Sequence, residues 1–184
     1  FNLPTLLTWA RIVAIPLIIG IFYLPVEPAT RNLIATVSFI AVALTDWADG
    51  WLARKLNQTS SFGAFLDPVA DKFLICAALL CLLYLTRVDA IVAFIIIGRE
   101  IAISALREWM ANIGEAKSVA VSLIGKLKTI AQMTAIPLLL YHEPLAGFDT
   151  QRIGYLLIIV AAALTLWSMA YYLKKAWPEI SARS

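Results

Sequence analysis

Charged side chains are scarce in this sequence. Only 15% of its 184 residues are Asp, Glu, Lys or Arg, against 61% apolar residues and a mean hydropathy of +0.84. Soluble domains carry about a quarter charged residues and about half apolar ones. A water-soluble globule is therefore excluded, and a polytopic membrane protein is indicated. Cysteine is equally sparse: Cys76 and Cys81 share one apolar run but fall on different faces of a helix. Their spacing suits buried apolar thiols rather than a disulfide or a metal site. The one histidine, His142, falls in a polar connection and is expected to be solvated. A net charge of +3 without a basic block argues against a nucleic-acid partner. No repeat, low-complexity stretch or linker is visible, so residues 1–184 read as a single domain. No signal peptide stands out, and an opening Phe-Asn-Leu-Pro without Met is expected of a trimmed or processed start.

What is abundant is apolar sequence in long runs. A helix needs about 20 apolar residues to cross a bilayer, and six such runs are present, roughly 8–24, 31–56, 63–85, 89–112, 119–141 and 151–175. The expected fold is an all-α membrane protein of six transmembrane helices. A short N-terminal interfacial helix is expected over Asn2–Leu7, with Pro4 in its first turn. Even parity puts both termini on one side. That side collects twelve Lys and Arg, and the other keeps Arg31, Arg87 and Arg152. Cationic residues mark the cytoplasmic face, so both termini are expected in the cytoplasm. Trp47, Trp51, Trp109 and Trp177 fit an aromatic belt on that side, and Tyr23 fits an outer one.

Against this background one stretch is anomalous. Thr45 to Lys72, TDWADGWLARKLNQTSSFGAFLDPVADK, sets four aspartates against apolar helices. Asp46 and Asp49 are i and i+3, on one face near the end of the second run; Asp67 and Asp71 are i and i+4, at the start of the third. A tight connection folds the two runs antiparallel, so the four carboxylates can converge. Each carboxylate at membrane depth costs about 2.5–3.5 kcal/mol on insertion scales. Protonation is one escape and divalent cations are the other. Oxygen-only ligands suit Mg²⁺ or Mn²⁺, and four carboxylates suggest two ions, an arrangement able to clamp attacking and leaving oxygens in phosphoryl transfer. Gly50, Ala53 and Gly63 leave room for a nucleotide to approach the backbone, and Arg54 can fork onto phosphate oxygens. Pro68 either bends the third helix or starts it, with Asp67 as N-cap.

These residues resemble the CDP-alcohol phosphotransferase family, whose pattern is D-x2-D-G-x2-A-R-x8-G-x3-D-x3-D. Asp46, Asp49, Gly50, Ala53, Arg54, Gly63, Asp67 and Asp71 meet every spacing, eight positions in 26 residues. The stretches NLPTLLTWARIVAIPL, FGAFLDPVADK, GREIAISALREWMA, GKLKTIAQMTAIPLL and LTLWSMAYYL resemble the bacterial branch of that family that uses sn-glycerol 3-phosphate. The resemblance implies transfer of a phosphatidyl group from CDP-diacylglycerol to sn-glycerol 3-phosphate. It implies that Asp46 and Asp67 bridge two ions, that Asp49 and Asp71 each complete one shell, and that Asp71 is the general base. Gly50, Arg54 and Ser60 fall where the family contacts the CDP moiety, with Ala53 and Gly63 lining the approach. Asn2, Pro4 and Thr5 fall where its N-terminal segment meets the nucleotide. It also implies a homodimer in the bacterial inner membrane with a cytoplasm-facing site.

A dianionic acceptor requires cations. Arg107 and Lys126 are the first candidates for its phosphate, followed by Arg99 and Lys128 and then by Arg11 in the first run. Glu100 and Glu108 repeat the Arg99/Arg107 spacing and read as partners for cations. Three rival readings remain. A sibling enzyme would use serine, inositol phosphate or phosphatidylglycerol, and uncharged serine fits the extra cations least. A prenyltransferase with paired Asp motifs leaves the Gly-Ala-Arg spacing unexplained. A transporter would hold its acids near the midplane, whereas these cluster near one end.

Overall fold

The computed structural model describes residues 3–56, 61–114 and 123–183; the side chains of 3–5, 49–50, 52–54, 56 and 61–64 are not described. Six helices form among the described residues: α1 (Leu3–Ile21), α2 (Pro28–Leu56), α3 (Ser61–Tyr84), α4 (Ala90–Asn112), α5 (Leu123–Tyr141) and α6 (Thr150–Arg183). The protein is all-helical, as an apolar solvent demands, because a helix satisfies its own backbone. Among the described residues three helices are long and apolar enough to cross a bilayer: Pro28–Ala48, Leu123–Tyr141 and Thr150–Arg183. Leu6–Ile21 is a shorter apolar helix. Charges explain why α3 and α4 stand apart: Asp67, Asp71 and Lys72 lie in one, and Arg99, Glu100, Arg107 and Glu108 in the other.

Two helix boundaries differ from the sequence expectation. The separate interfacial helix does not form, because α1 runs unbroken from Leu3. Pro4 lies in its first turn, where a missing N–H costs nothing, and no helix breaker follows before Pro16. At the other end of the chain, α6 continues past residue 175 through Pro178 to Arg183. That extension is held by packing of Ile180 against the buried Met110, Tyr172 and Ala176, and by a Glu179–Arg183 pair at 3.6 Å. The choice left open at Pro68 is also resolved: it lies inside α3, which begins at Ser61, so Asp67 is not an N-cap.

Side-chain contacts fix how the helices alternate. At one end, Thr8 and Arg11 of α1 reach Asp67 of α3 and Asp46 of α2. At the same end, Lys128 of α5 reaches Glu100 of α4, and Arg99 reaches Ser168 of α6. At the far end, Arg87 donates to the Leu139 and Leu140 carbonyls at 3.1 and 2.8 Å and to Asn32 Oδ1 at 2.9 Å. One guanidinium thereby ties α2 to the last turn of α5 and supplies that helix's orphan carbonyls with donors. Tyr155 of α6 donates to Asp89 Oδ2 at 2.6 Å, so the α4 N-cap residue serves a neighbouring helix instead of capping its own. Asp149 does cap: its Oδ1 accepts from the Arg152 N–H at 3.1 Å. Successive helices therefore run in opposite directions, and the N-terminal half of α1 and the C-terminal half of α6 meet at the same end.

Between the ends, an apolar core joins all six helices, with Phe39, Leu74, Leu79, Leu82, Ile96, Ile136, Leu140 and Ile158 fully enclosed. The most extensive packing is between α5 and α6. A Cβ built on Gly154 would lie 2.9 Å from Leu139 Cγ and 3.1 Å from Leu138 Cβ. Small interfacial residues allow this in membrane helices. Cys76 and Cys81 are free, and Cys81 is buried. Large apolar side chains such as Leu17, Ile91, Phe94 and Trp167 face outward, as lipid contact requires. Trp47, Trp51 and Trp177 are exposed toward the Asp46 end, whereas Trp109 packs into the cluster around Tyr172. Tyr23 stacks on Tyr84 at the far end, with ring centroids 6.5 Å apart. His142 is half-buried rather than solvated, and among the described residues its Nδ1 has no partner. Burial, then the nearby Arg87 guanidinium, lowers its pKa below the usual imidazole value.

Candidate active site

The acidic residues come together through α1. Asp46, near the end of α2, pairs with the buried Arg11 guanidinium. Asp67, near the start of α3, accepts a hydrogen bond from Thr8 Oγ1 at 2.8 Å. Thr8 and Arg11 are i and i+3, so one face of α1 straps both helices together. Asp71 lies one turn beyond Asp67, on the same face of α3. The backbones of Asp49, Gly50, Ala53 and Arg54 continue α2, that of Gly63 lies in the first turn of α3, and those of Pro4 and Thr5 lie in the first turn of α1. The side chains of these residues, and Asn2 and Ser60 entirely, lie outside the described set. Among the described residues no three acidic, His or Cys side chains are grouped as a metal site, and Asp49 is not among those side chains.

Beside the acids, α3, α4, α5 and α6 enclose a cavity of about 190 Å³. Its wall carries four cations, Lys72, Arg99, Arg107 and Lys128, and two carboxylates, Asp71 and Glu100, an excess of two positive charges. Asp71 is the one member of the described aspartate set that reaches this wall. Glu100 accepts from Lys128 and, at 3.2 Å, from Arg99 Nη1. This is the cation pairing that the sequence spacing suggested. Arg99 Nη2 donates to Ser168 Oγ at 3.3 Å. Arg107 Nη2 donates to the Tyr172 hydroxyl at 3.3 Å. The Tyr172 ring faces both guanidiniums, 5.7 Å from Arg99 and 5.3 Å from Arg107. Cations stacked on a buried aromatic face are held without consuming all their N–H donors.

Of the five cations proposed for the acceptor phosphate, Arg99, Arg107 and Lys128 share this cavity. Lys126 is exposed and outside it, and Arg11 is engaged with Asp46. Sequence reasoning passed over Thr8, Lys72, Gln132, Ser168 and Tyr172. A signal for some of them exists. Thr165, Ser168 and Tyr172 recur at helical spacing in α6, a helix apolar enough to cross a bilayer, and all three are fully buried. Polar groups at such positions in a spanning helix mark a polar partner.

These features define an integral membrane protein with a charged cavity recessed at one end of an apolar helical bundle. The chain belongs to the CDP-alcohol phosphatidyltransferase family, whose profile matches residues 1–167. It is similar to proteins named CDP-diacylglycerol--glycerol-3-phosphate 3-phosphatidyltransferase. The one from Shigella flexneri serotype 5b (strain 8401) is 49% identical over 182 residues, 98% of this chain and 97% of that protein. The Escherichia coli (strain K12) protein matches with the same identity and coverage. That of Salmonella choleraesuis (strain SC-B67) is 48% identical over 178 residues, 96% of this chain and 95% of that protein.

Proposed function

We propose that the chain transfers the phosphatidyl group of CDP-diacylglycerol to sn-glycerol 3-phosphate, giving phosphatidylglycerophosphate and CMP. The observation that carries this reading is the cavity beside the aspartates. Its excess of two positive charges matches a phosphate monoester, which is close to a dianion at neutral pH. Arg99, Arg107 and Lys128 are the groups to hold that phosphate, with Lys72 added from the geometry.

Asp71 takes the proton. Its carboxylate belongs to the aspartates that meet the family spacing and also lines the acceptor cavity, so it can face the hydroxyl held there. The hydroxyl oxygen forms a bond to the lipid-bearing phosphorus, the bond from that phosphorus to the CMP oxygen breaks, and the hydroxyl proton passes to Asp71. Asp46, Asp49, Asp67 and Asp71 are an all-carboxylate donor set, which fits hard divalent ions, and they would hold two Mg²⁺ or Mn²⁺. Such ions, when bound, offset charge on the diphosphate. Gly50, Ala53, Arg54, Ser60 and Gly63 contact the CDP part, with Asn2, Pro4 and Thr5 closing over it. Positioning and electrostatics then supply most of the rate.

All six helices span the membrane, and the site opens to the cytoplasm of a bacterial inner membrane. The twelve-to-three asymmetry of Lys and Arg supports that orientation. The protein acts as a homodimer. The test is CMP release by purified protein in detergent with Mg²⁺ or Mn²⁺, CDP-diacylglycerol and a panel of acceptors. Release that depends on sn-glycerol 3-phosphate supports the reading. Release with serine, inositol phosphate or phosphatidylglycerol alone moves the chain to a sibling activity.

A further inference from the structure

The cavity holds one polar group that neither charge pairing nor the helix explains. Gln132 lies one turn beyond Lys128 on α5, lines the cavity and is only 3% exposed, yet among the described residues its Oε1 accepts no hydrogen bond. A buried acceptor left unpaired costs about 1–3 kcal/mol, so a native structure that keeps one has a use for it. Across the same wall, the Nε of Arg99 is a buried donor without an acceptor among the described residues. The other neutral polar groups of the wall each have a partner. Thr129 Oγ1 donates to the Gly125 carbonyl at 2.9 Å, and the Tyr172 hydroxyl accepts from Arg107. Among the described residues, Gln132 Oε1 is thus the buried neutral polar atom of this cavity that has no partner and is left for a ligand.

The acceptor proposed above, on which this inference rests, brings a phosphate, a primary hydroxyl and a secondary hydroxyl. The cations take the phosphate and Asp71 takes the proton of the attacking primary hydroxyl. The secondary hydroxyl has no charged partner assigned, and it is a neutral donor and acceptor, the complement of a carboxamide. We propose that Gln132 is the specificity-determining residue that reads the secondary hydroxyl of the acceptor. It makes the enzyme selective for a glycerol phosphate over a phosphoalkanol of the same length and charge.

The experiment compares sn-glycerol 3-phosphate with 3-hydroxypropyl phosphate, which keeps the phosphate and primary hydroxyl and lacks the secondary one. The readout is the ratio of kcat/KM for the two acceptors on one enzyme sample, a ratio that does not depend on how much of the sample is folded. The wild-type ratio is expected to be roughly tenfold or more, since a site built around a hydroxyl rejects the analogue without it. In Gln132→Met, which keeps length without the amide, the ratio falls to within about twofold of unity, and Gln132→Leu is measured alongside as a second apolar variant. A wild-type ratio near unity overturns the inference without any variant. So does a Gln132→Met or Gln132→Leu enzyme that is slower on both acceptors by the same factor, the behaviour of an amide satisfied by a bound water or needed only for packing. A wild type that releases no CMP with sn-glycerol 3-phosphate overturns the proposed function, and this inference with it.

Discussion

Replacing Tyr172 separates acceptor anchoring from the rest of the reaction. The side chain is fully buried, its ring faces Arg99 at 5.7 Å and Arg107 at 5.3 Å, and its hydroxyl accepts from Arg107 at 3.3 Å. A desolvated cation–π contact contributes about 2 kcal/mol, so the two together set an upper bound near 4 kcal/mol. Arg99 keeps Glu100 and Ser168 as partners when the ring is removed, which leaves about 1.5–3 kcal/mol of lost orientation, roughly tenfold to a hundredfold in affinity. Tyr172→Phe keeps the ring and loses one long hydrogen bond, about 0.5–1 kcal/mol and roughly two- to fivefold. The assay is CMP release in mixed micelles, varying each substrate while the other saturates. KM for sn-glycerol 3-phosphate is expected to rise from wild type to Tyr172→Phe to Tyr172→Leu, with KM for CDP-diacylglycerol unchanged within about twofold. Tyr172→Leu also opens space beside Ile103, Met110 and Ala176, so its melting temperature falls as well. A Tyr172→Leu enzyme that melts early but keeps its acceptor KM would show that the ring only fills space. A parallel rise in both KM values would refute the reasoning equally.

Three further outcomes are expected. Asp71→Asn lowers turnover by about 10²–10⁴-fold, the usual contribution of a general base, while equilibrium binding of CDP-diacylglycerol weakens far less; near wild-type turnover would remove Asp71 from that role. Gly154→Ala places a Cβ 2.9 Å from Leu139 Cγ and is expected to destabilise the α5–α6 contact by about 1–3 kcal/mol, read as an earlier melt in detergent. Wild-type melting would mean that the helices separate there at no cost. Thr86 ends α3 at a φ of 57°, with the Thr86 and Arg87 N–H groups bonded back to Leu83 and Leu82, a helix stop that normally carries Gly. A β-branched residue pays about 1–2 kcal/mol there, so Thr86→Gly is expected to melt later, by up to about 1 kcal/mol after the entropy cost of glycine; an earlier melt would show that the Thr86 side chain outweighs the strain.

The helices were legible because an apolar solvent leaves the backbone few choices, and their bounds follow the turn formers to within a few residues. The expectation slipped at the two ends of the chain. Pro4 was placed in a separate short helix, yet it sits in the first turn of a continuous one, and the sixth run was expected to end near residue 175, yet packing of Ile180 carries α6 on through Pro178. His142 was misjudged for another reason. A polar residue in a short connection looks solvated, but the sequence does not say that Arg87 folds back onto the end of α5 beside it.

The two halves of the site differ in the same way. The aspartates lie within 26 residues on two helices only four residues apart in sequence, so spacing alone lets them converge. The cavity draws on four helices, and its decisive contacts bridge positions such as Arg99 and Ser168, or Arg107 and Tyr172, that are more than sixty residues apart. Charge pattern nominated Arg99, Arg107 and Lys128, because a cation in an apolar run demands a reason. It could not nominate Tyr172 or Gln132, because a tyrosine in an apolar helix or one amide among threonines demands none. Only the packing of α6 against α4 and α5 turns those neutral side chains toward the cations. Asp71 belongs to both halves: its spacing assigns it to the aspartates, and the fold turns it toward the cations as well. In the proposed reaction, a group so placed would accept the proton of a hydroxyl held in one half as it attacks a diphosphate held in the other.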